Sequence, residues 1–256
     1  YASFAVAQKE PTRSDFTDRY KFAADDTYPS SEKLYDWELG YQYTAPRLSL
    51  GVNLYYMKYK DQLVPTGMVN DDSNALNTNV PDSYRRGVEL SASWRATGWF
   101  TVGANATFSQ NRIENYVDAL KDSPTYGKEL GDMTIAYSPD VIANAFLNFH
   151  HRGFEAVFHT QHVGKQYFTN NENDALSLDA YCVTNLNLAY TFRTRSARSV
   201  RLGLLINNLF NAEYESNGYG YSYMDTWSGP APVRIDEAYY FPQAPLNVLA
   251  NVTVKF

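Results

Sequence analysis

Four histidines, His150, His151, His159 and His162, are the first side chains to weigh for chemistry, because imidazole is both the commonest acid–base group and a common metal ligand. On a strand, residues three apart point to opposite faces, so His159 and His162 do not chelate one ion together. His150 and His151 abut a short turn and read as interfacial polar residues, so no metal site is expected from this set. An Asp-His or Ser-His constellation is not visible either, since no carboxylate is clearly paired with these histidines. The acidic pairs Asp25-Asp26 and Asp71-Asp72 match no EF-hand spacing and read as solvated loop tips. Cys182 shares the phase of Leu186 and Leu188 and is given no chemical role; a single cysteine excludes a disulfide framework. Arg193, Arg195 and Arg198 make a basic turn, either solvated or meeting anionic lipid.

The side chains better suited to recognition are aromatic. Between Tyr214 and Trp227 aromatics recur at 219, 221 and 223. Rings on a loop stack on an aryl ligand and donate hydrogen bonds at little entropic cost. Trp227, with Tyr219, Tyr221 and Tyr223, is therefore a ligand-binding candidate. The competing assignment for the three tyrosines is that they prolong the last strands and ring the membrane interface. Arg85, Glu89 and Arg95 lie in the phase opposite Val88, Leu90, Ala92 and Trp94 and are expected to face an interior, where charge seeks a partner.

Period-two alternation positions all of these residues. In the final segment Leu246, Val248, Ala250, Val252, Val254 and Phe256 share one face, and only Leu249 breaks the pattern. The same reading predicts ten strands, over roughly 1–8, 34–44, 48–60, 83–96, 99–110, 140–150, 154–166, 180–192, 200–210 and 245–256. The connections alternate: 45–47, 97–98, 151–153 and 193–199 are short, while 9–33, 61–82, 111–133, 167–179 and 211–244 are long. Short turns at one end and long loops at the other, with strands near the 9–11 residues that cross a bilayer, describe an antiparallel transmembrane β-barrel. A soluble sandwich is the alternative, and two features weigh against it. Aromatics cluster beside the short turns, as interfacial rings do. The long loops together carry −14 and the short turns +5, so a net charge of −6 conceals an acidic rim and a basic one. No apolar run is long enough for a transmembrane helix, and the acidic balance without a basic block argues against nucleic acid as a partner. The 22 Tyr among 256 residues are chiefly an interface signal. The chain opens inside a strand pattern without Met, basic n-region or apolar h-region, so it is expected to be a processed chain or the C-terminal part of something longer.

Several segments resemble the TonB-dependent receptors of Gram-negative outer membranes. Tyr1 to Gln8 followed by Glu10-Pro11-Thr12-Arg13-Ser14-Asp15 is similar to a strand and loop start in members that import iron complexes. Gly87-Val88-Glu89-Leu90 resembles a barrel strand, Ser138-Pro139-Asp140 running into Asn144 a Pro-led strand start, and Asn207-Asn208-Leu209-Phe210-Asn211-Ala212-Glu213-Tyr214 the penultimate-strand motif, completed by Pro242 and a terminal Phe256. The resemblance implies a complete barrel of about 22 strands, of which 1–256 would be the C-terminal ten, with the plug domain and TonB-binding segment absent. It further implies energy-coupled uptake of a scarce iron complex, most often a siderophore, without catalysis or a resident cofactor. The implied partners are the TonB complex, the receptor's own plug, outer-membrane lipid and lipopolysaccharide, and a small iron chelate; Arg85, Glu89 and Arg95 would face the plug. Two alternatives stay open: an outer-membrane enzyme on a ten-stranded barrel, and a passive porin-like pore.

Overall fold

The computed structural model describes residues 1–17, 28–70 and 74–256. Asp25, Asp26, Asp71 and Asp72 lie outside the described residues. In chain order the strands are β1 (Ala2–Lys9), β2 (Glu32–Thr44), β3 (Leu48–Val69), β4 (Ala75–Arg95), β5 (Phe100–Ile113), β6 (Met133–Thr134), β7 (Val141–His151), β8 (Phe154–Val163), β9 (Gln166–Tyr167), β10 (Ser177–Leu178), β11 (Tyr181–Phe192), β12 (Ser199–Asn207), β13 (Glu215–Asp225), β14 (Val233–Pro242) and β15 (Asn247–Lys255). Ten of them pair antiparallel in the order β1-β2-β3-β4-β5-β7-β8-β11-β12-β15, with β6 added to β5. The sheet is open, with β1 and β15 as its edges. These ten are the strands expected from alternation.

The two faces of the sheet differ as the alternation requires. On β2, β3 and β4 one face carries Leu39, Leu54 and Leu90, all exposed, and the other carries Asn53 opposite Glu89. Apolar area on this scale is stable against hydrocarbon rather than water. Two aromatic bands bound it. Toward the long connections, Phe4, Trp37, Tyr56 and Tyr84 run side by side across β1 to β4, with ring centroids 5.1, 5.8 and 6.3 Å apart. At the short turns, Trp99 and Phe100 each stack on Phe149, and Tyr190 stacks on Phe192 at 5.9 Å. About ten residues of β4 separate Tyr84 from Trp94, the span a tilted strand needs to cross a bilayer.

Two of the predicted loops are strands instead. Residues 62–69 and 75–82 continue β3 and β4, paired from Gln62↔Val80 to Val69↔Ala75, with a register shift between Pro65 and Val69. Pro65 and Gly67 mimic a loop in the sequence, yet both lie within β3. At Asp61 the backbone is left-handed (φ 54°), and the phase of burial changes there. Below it the even-numbered Leu50, Leu54 and Tyr56 are exposed; above it Gln62, Val64, Thr66 and Met68 are buried. Residues 211–244 hold β13 and β14, paired only with each other. The buried apolar clusters therefore sit at the long-connection end: Val64, Val80, Ile113, Tyr116 and Ile135 in one, Met68, Leu76, Leu120 and Met224 in a second, and Phe168, Leu176 and Leu178 in a third.

Candidate functional site

The long-connection end is built as a second packing layer on top of the sheet. Asn170, almost fully buried, accepts the Ala136 N–H at 2.7 Å and donates to the Pro65 carbonyl at 2.6 Å, tying the 164–180 connection to the upper part of β3. Glu172 accepts from the Thr134 N–H at 3.0 Å and pairs with Arg112. Buried Asp118 accepts from the Leu120 N–H at 3.0 Å and from the Ser123 and Thr125 hydroxyls, which holds the 114–128 connection in shape. Burial, then the charge of Asp118, pushes the neighbouring Tyr116 phenol up to about 12. Between these connections and the short helix Arg13–Thr17 lies a cleft of about 660 Å³, whose walls include Asp15, Tyr28, Asn79, Glu114, Tyr116 and Tyr126.

The β13–β14 hairpin leaves the sheet at β12 and β15, and the residues resembling the penultimate-strand motif explain how. Asn208 and Asn211 both adopt left-handed backbone (φ 51° and 52°), which Asn tolerates better than most side chains. The buried Asn208 side chain accepts the Ala212 N–H at 2.8 Å and donates to the carbonyls of Ala212 and Ala244 at 2.8 and 3.3 Å. Asn211 accepts the Leu246 N–H at 2.9 Å. One asparagine thus binds both legs of the hairpin at its base, and a second orients the start of β15.

The hairpin then crosses to the third strand of the sheet, where Met224 packs with Met68, Leu76 and Leu120. Its inner face reads Gly218, Gly220, Ser222 and Met224. A Cβ on Gly218 would sit 2.7 Å from Phe168, and one on Gly220 2.9 Å from both Phe168 and Leu176. Glycine is what lets the hairpin lie directly on Phe168 and Leu176.

The opposite face, turned away from the loops it packs on, holds Tyr219, Tyr221 and Tyr223 with Glu237 and Tyr239 from β14. Tyr219 and Tyr239 stack at 4.9 Å, and Tyr221 lies 6.3 Å from Tyr239. The Glu237 carboxylate accepts from Tyr221 at 2.7 Å, Tyr239 at 2.8 Å and Tyr223 at 3.2 Å. These three phenols hold Glu237 below the ordinary carboxylate range, and the carboxylate in turn raises Tyr221, Tyr223 and Tyr239. Trp227 stands 82% exposed at the tip, where Asp225 caps the turn by accepting the Trp227 and Ser228 N–H groups at 2.9 and 3.1 Å. The face is an aromatic ladder whose Glu237 carboxylate is already hydrogen-bonded by three phenols, suited to flat contact with a ligand rather than to acid–base work.

The structure thus brings the three tyrosines onto one surface with Trp227 at its end. Sequence reasoning missed Glu237, Tyr239 and the anchoring Met224, because residues 211–244 were read as one loop. The alternation of Ile235, Glu237, Tyr239 and Phe241 after the Ser228-Gly229-Pro230 turn was the available signal.

Arg85 and Glu89 lie elsewhere, on the polar face of the sheet. They border a pocket of about 310 Å³ with Glu38, Asn53 and Tyr55. Arg85 donates to Ser138 Oγ at 2.8 Å, and Glu89 accepts from Asn53 at 3.3 Å. Asp36 Oδ1 and Asn53 Oδ1 on the same face are buried without a partner. Arg95 is apart from both, exposed at the short-turn end, where its N–H donates to the Arg47 carbonyl at 2.8 Å.

Residues 1–209 match the family model described as TonB dependent receptor-like, beta-barrel. Solved structures with the same arrangement include the ferric yersiniabactin uptake receptor FyuA from Yersinia pestis (19% identity, TM-score 0.66, covering all of this chain and 34% of that one). The ferric preacinetobactin receptor BauA from Acinetobacter baumannii matches at 14% identity and TM-score 0.65, covering all of this chain and 34% of that one. The copper transporter OprC matches at 19% identity and TM-score 0.68, with all of this chain and 37% of that one covered. This chain spans about a third of the length of each. With its ten consecutive antiparallel strands, paired aromatic bands and family match over most of its length, the chain belongs to the TonB-dependent receptor-like β-barrel family.

Proposed function

We propose that the chain is the C-terminal part of the roughly 22-stranded barrel of an outer-membrane receptor that takes up a scarce iron complex, with a siderophore as cargo and TonB as the energy source. The observation that carries this reading is the β13–β14 hairpin. It is held across the loop end by Met224 and by the glycine face, and it presents Tyr219, Tyr221, Tyr223 and Tyr239 as a ready-made wall with Trp227 beside it. Rings preorganised in this way lose little entropy on binding. The polar face of the sheet supports the second half of the reading. Its unpartnered Asp36 and Asn53 oxygens, with Glu38, Glu89 and Arg85 nearby, suit a basic segment of a plug domain seated against the wall. Transport by such a receptor is binding at the loops followed by plug displacement, and no bond is made or broken.

The charge of the loops sets the ligand class. The −14 that the long connections of this chain contribute to the rim repels polyanionic chelates and favours neutral or cationic complexes. Isothermal titration of the full-length receptor with ferric complexes of graded charge tests this. Neutral or cationic complexes should bind tightly, and Trp227→Ala or Tyr221→Ala should weaken them about tenfold, the loss of one aromatic contact. Tight, weakly salt-dependent binding of a strongly anionic chelate overturns the ligand class; full affinity in both variants overturns the site.

A further inference from the structure

The end of the molecule away from the tyrosine hairpin carries a second charged surface. Arg47, Arg95, Arg152, Arg193, Arg195 and Arg198 are all exposed there, and among the described residues none forms an ion pair. The four short turns contain no lysine and no carboxylate. The one acid nearby, Glu155, is already held by Arg201 through two bonds of 2.7 and 3.0 Å, with His150 at 3.9 Å.

The pairing of the sheet gathers these arginines. The Thr191 N–H donates to the Gly153 carbonyl at 2.8 Å, so the turn carrying Arg152 lies against the turn carrying Arg193, Arg195 and Arg198. Gly153, left-handed at φ 84°, is required at that contact, because a Cβ would meet the Thr191 carbonyl at 2.3 Å. Phe154 and Tyr190, both exposed, flank the group on the apolar face. Unpaired guanidinium groups beside amphipathic rings at the edge of a lipid-facing band sit at headgroup depth. Guanidinium also offers a planar fork matched to two phosphate oxygens, which an ammonium does not.

We propose that the short-turn rim is a docking surface for anionic phospholipid headgroups of the leaflet it meets, centred on Arg152, Arg193, Arg195 and Arg198. The proposal rests on the membrane seating of the sheet and is independent of the cargo. It gives the basic rim a use: anchoring the barrel at a fixed depth while the acidic end deals with ligand.

The test is native mass spectrometry of the full-length receptor released from nanodiscs of mixed phosphatidylcholine and phosphatidylglycerol. Retained phosphatidylglycerol should exceed its share of the mixture about tenfold, should decline as salt rises, and should survive addition of free glycerol phosphate. The R152Q/R193Q/R195Q/R198Q variant should lose the enrichment, the matching fourfold Arg→Lys variant should keep part of it, and K58Q/K60Q at the long-connection end, where Lys58 and Lys60 both pair with Asp82, should change nothing. No enrichment in the unaltered protein overturns the proposal whether or not any variant folds. Equal enrichment in the fourfold Gln variant, or displacement by free glycerol phosphate, overturns it as well. Iron-complex binding measured on the same preparations separates the two readings, since lipid enrichment lost with ligand affinity intact touches only the cargo-independent surface and supports it.

Discussion

The ten-stranded sheet and the β13–β14 hairpin are written in the same period-two code and use it in opposite ways. In the sheet the large apolar residues, such as Leu54 and Leu90, point away from the protein, and the polar phase faces inward. In the hairpin the small phase, Gly218, Gly220 and Ser222, faces the protein and the aromatic phase faces away. Exposed rings in the sheet bound its apolar face at both ends, whereas those of the hairpin stand over the loop end with a hydrogen-bonded carboxylate among them. Alternation alone thus says that two faces differ; what each face meets depends on which solvent or partner covers it.

Substitutions that treat the two regions alike should separate them. The largest effect is expected for Leu90→Arg, midway between Tyr84 and Trp94: about 2–4 kcal/mol of folding stability in vesicles by denaturant titration, against almost none for Tyr223→Arg on the hairpin. A similar loss at Tyr223 would place the hairpin in the membrane. Met224→Ala removes the side chain that anchors the hairpin on Met68, Leu76 and Leu120. It should cost about 2 kcal/mol locally and raise hydrogen exchange in β13 and β14 while β4 and β5 stay protected. Asn208→Ala should act in the same direction at about 1–2 kcal/mol, since Ala replaces a buried side chain that bonds both legs of the hairpin.

The smallest effect concerns pH. Glu237 is held below its ordinary range in the folded hairpin by Tyr221, Tyr239 and Tyr223. Its contribution is therefore present at neutral pH and lost only as pH falls below about 4. Protection of the hairpin amides, after correction for the pH dependence of intrinsic exchange, should be flat from pH 7 to 5 and fall below about pH 4. With Glu237→Gln the acid step should vanish, and the Tyr221 phenol should titrate nearer its ordinary value by ultraviolet absorbance. An unchanged acid step would remove Glu237 from the network.

Much of the sheet was legible because each strand declares its own phase: Phe100, Val102, Ala104 and Ala106 against Thr101, Gly103 and Asn105 need no distant partner to be read. The hairpin was half-legible. Tyr219, Tyr221 and Tyr223 announced a strand-like run, but Glu237 and Tyr239 join them only through the pairing of β13 with β14, across a turn of Gly and Pro. The continuation of β3 and β4 was hidden by Pro65 and Gly67, which local rules read as breakers and which the neighbouring strand and Asn170 hold in place.

The sequence by itself determined the strand count of the sheet, its two faces, its short turns, and the sorting of charge between its ends, because these follow from nearest neighbours along one chain. Only the tertiary structure decided that the last long connection is a hairpin laid across to the third strand. It alone decided that three tyrosines share one carboxylate, and that the turn carrying Arg152 lies against the turn carrying Arg193. Those facts depend on contacts between segments far apart in the chain, which periodicity does not encode and which close packing at Met224, Gly218 and Gly153 selects.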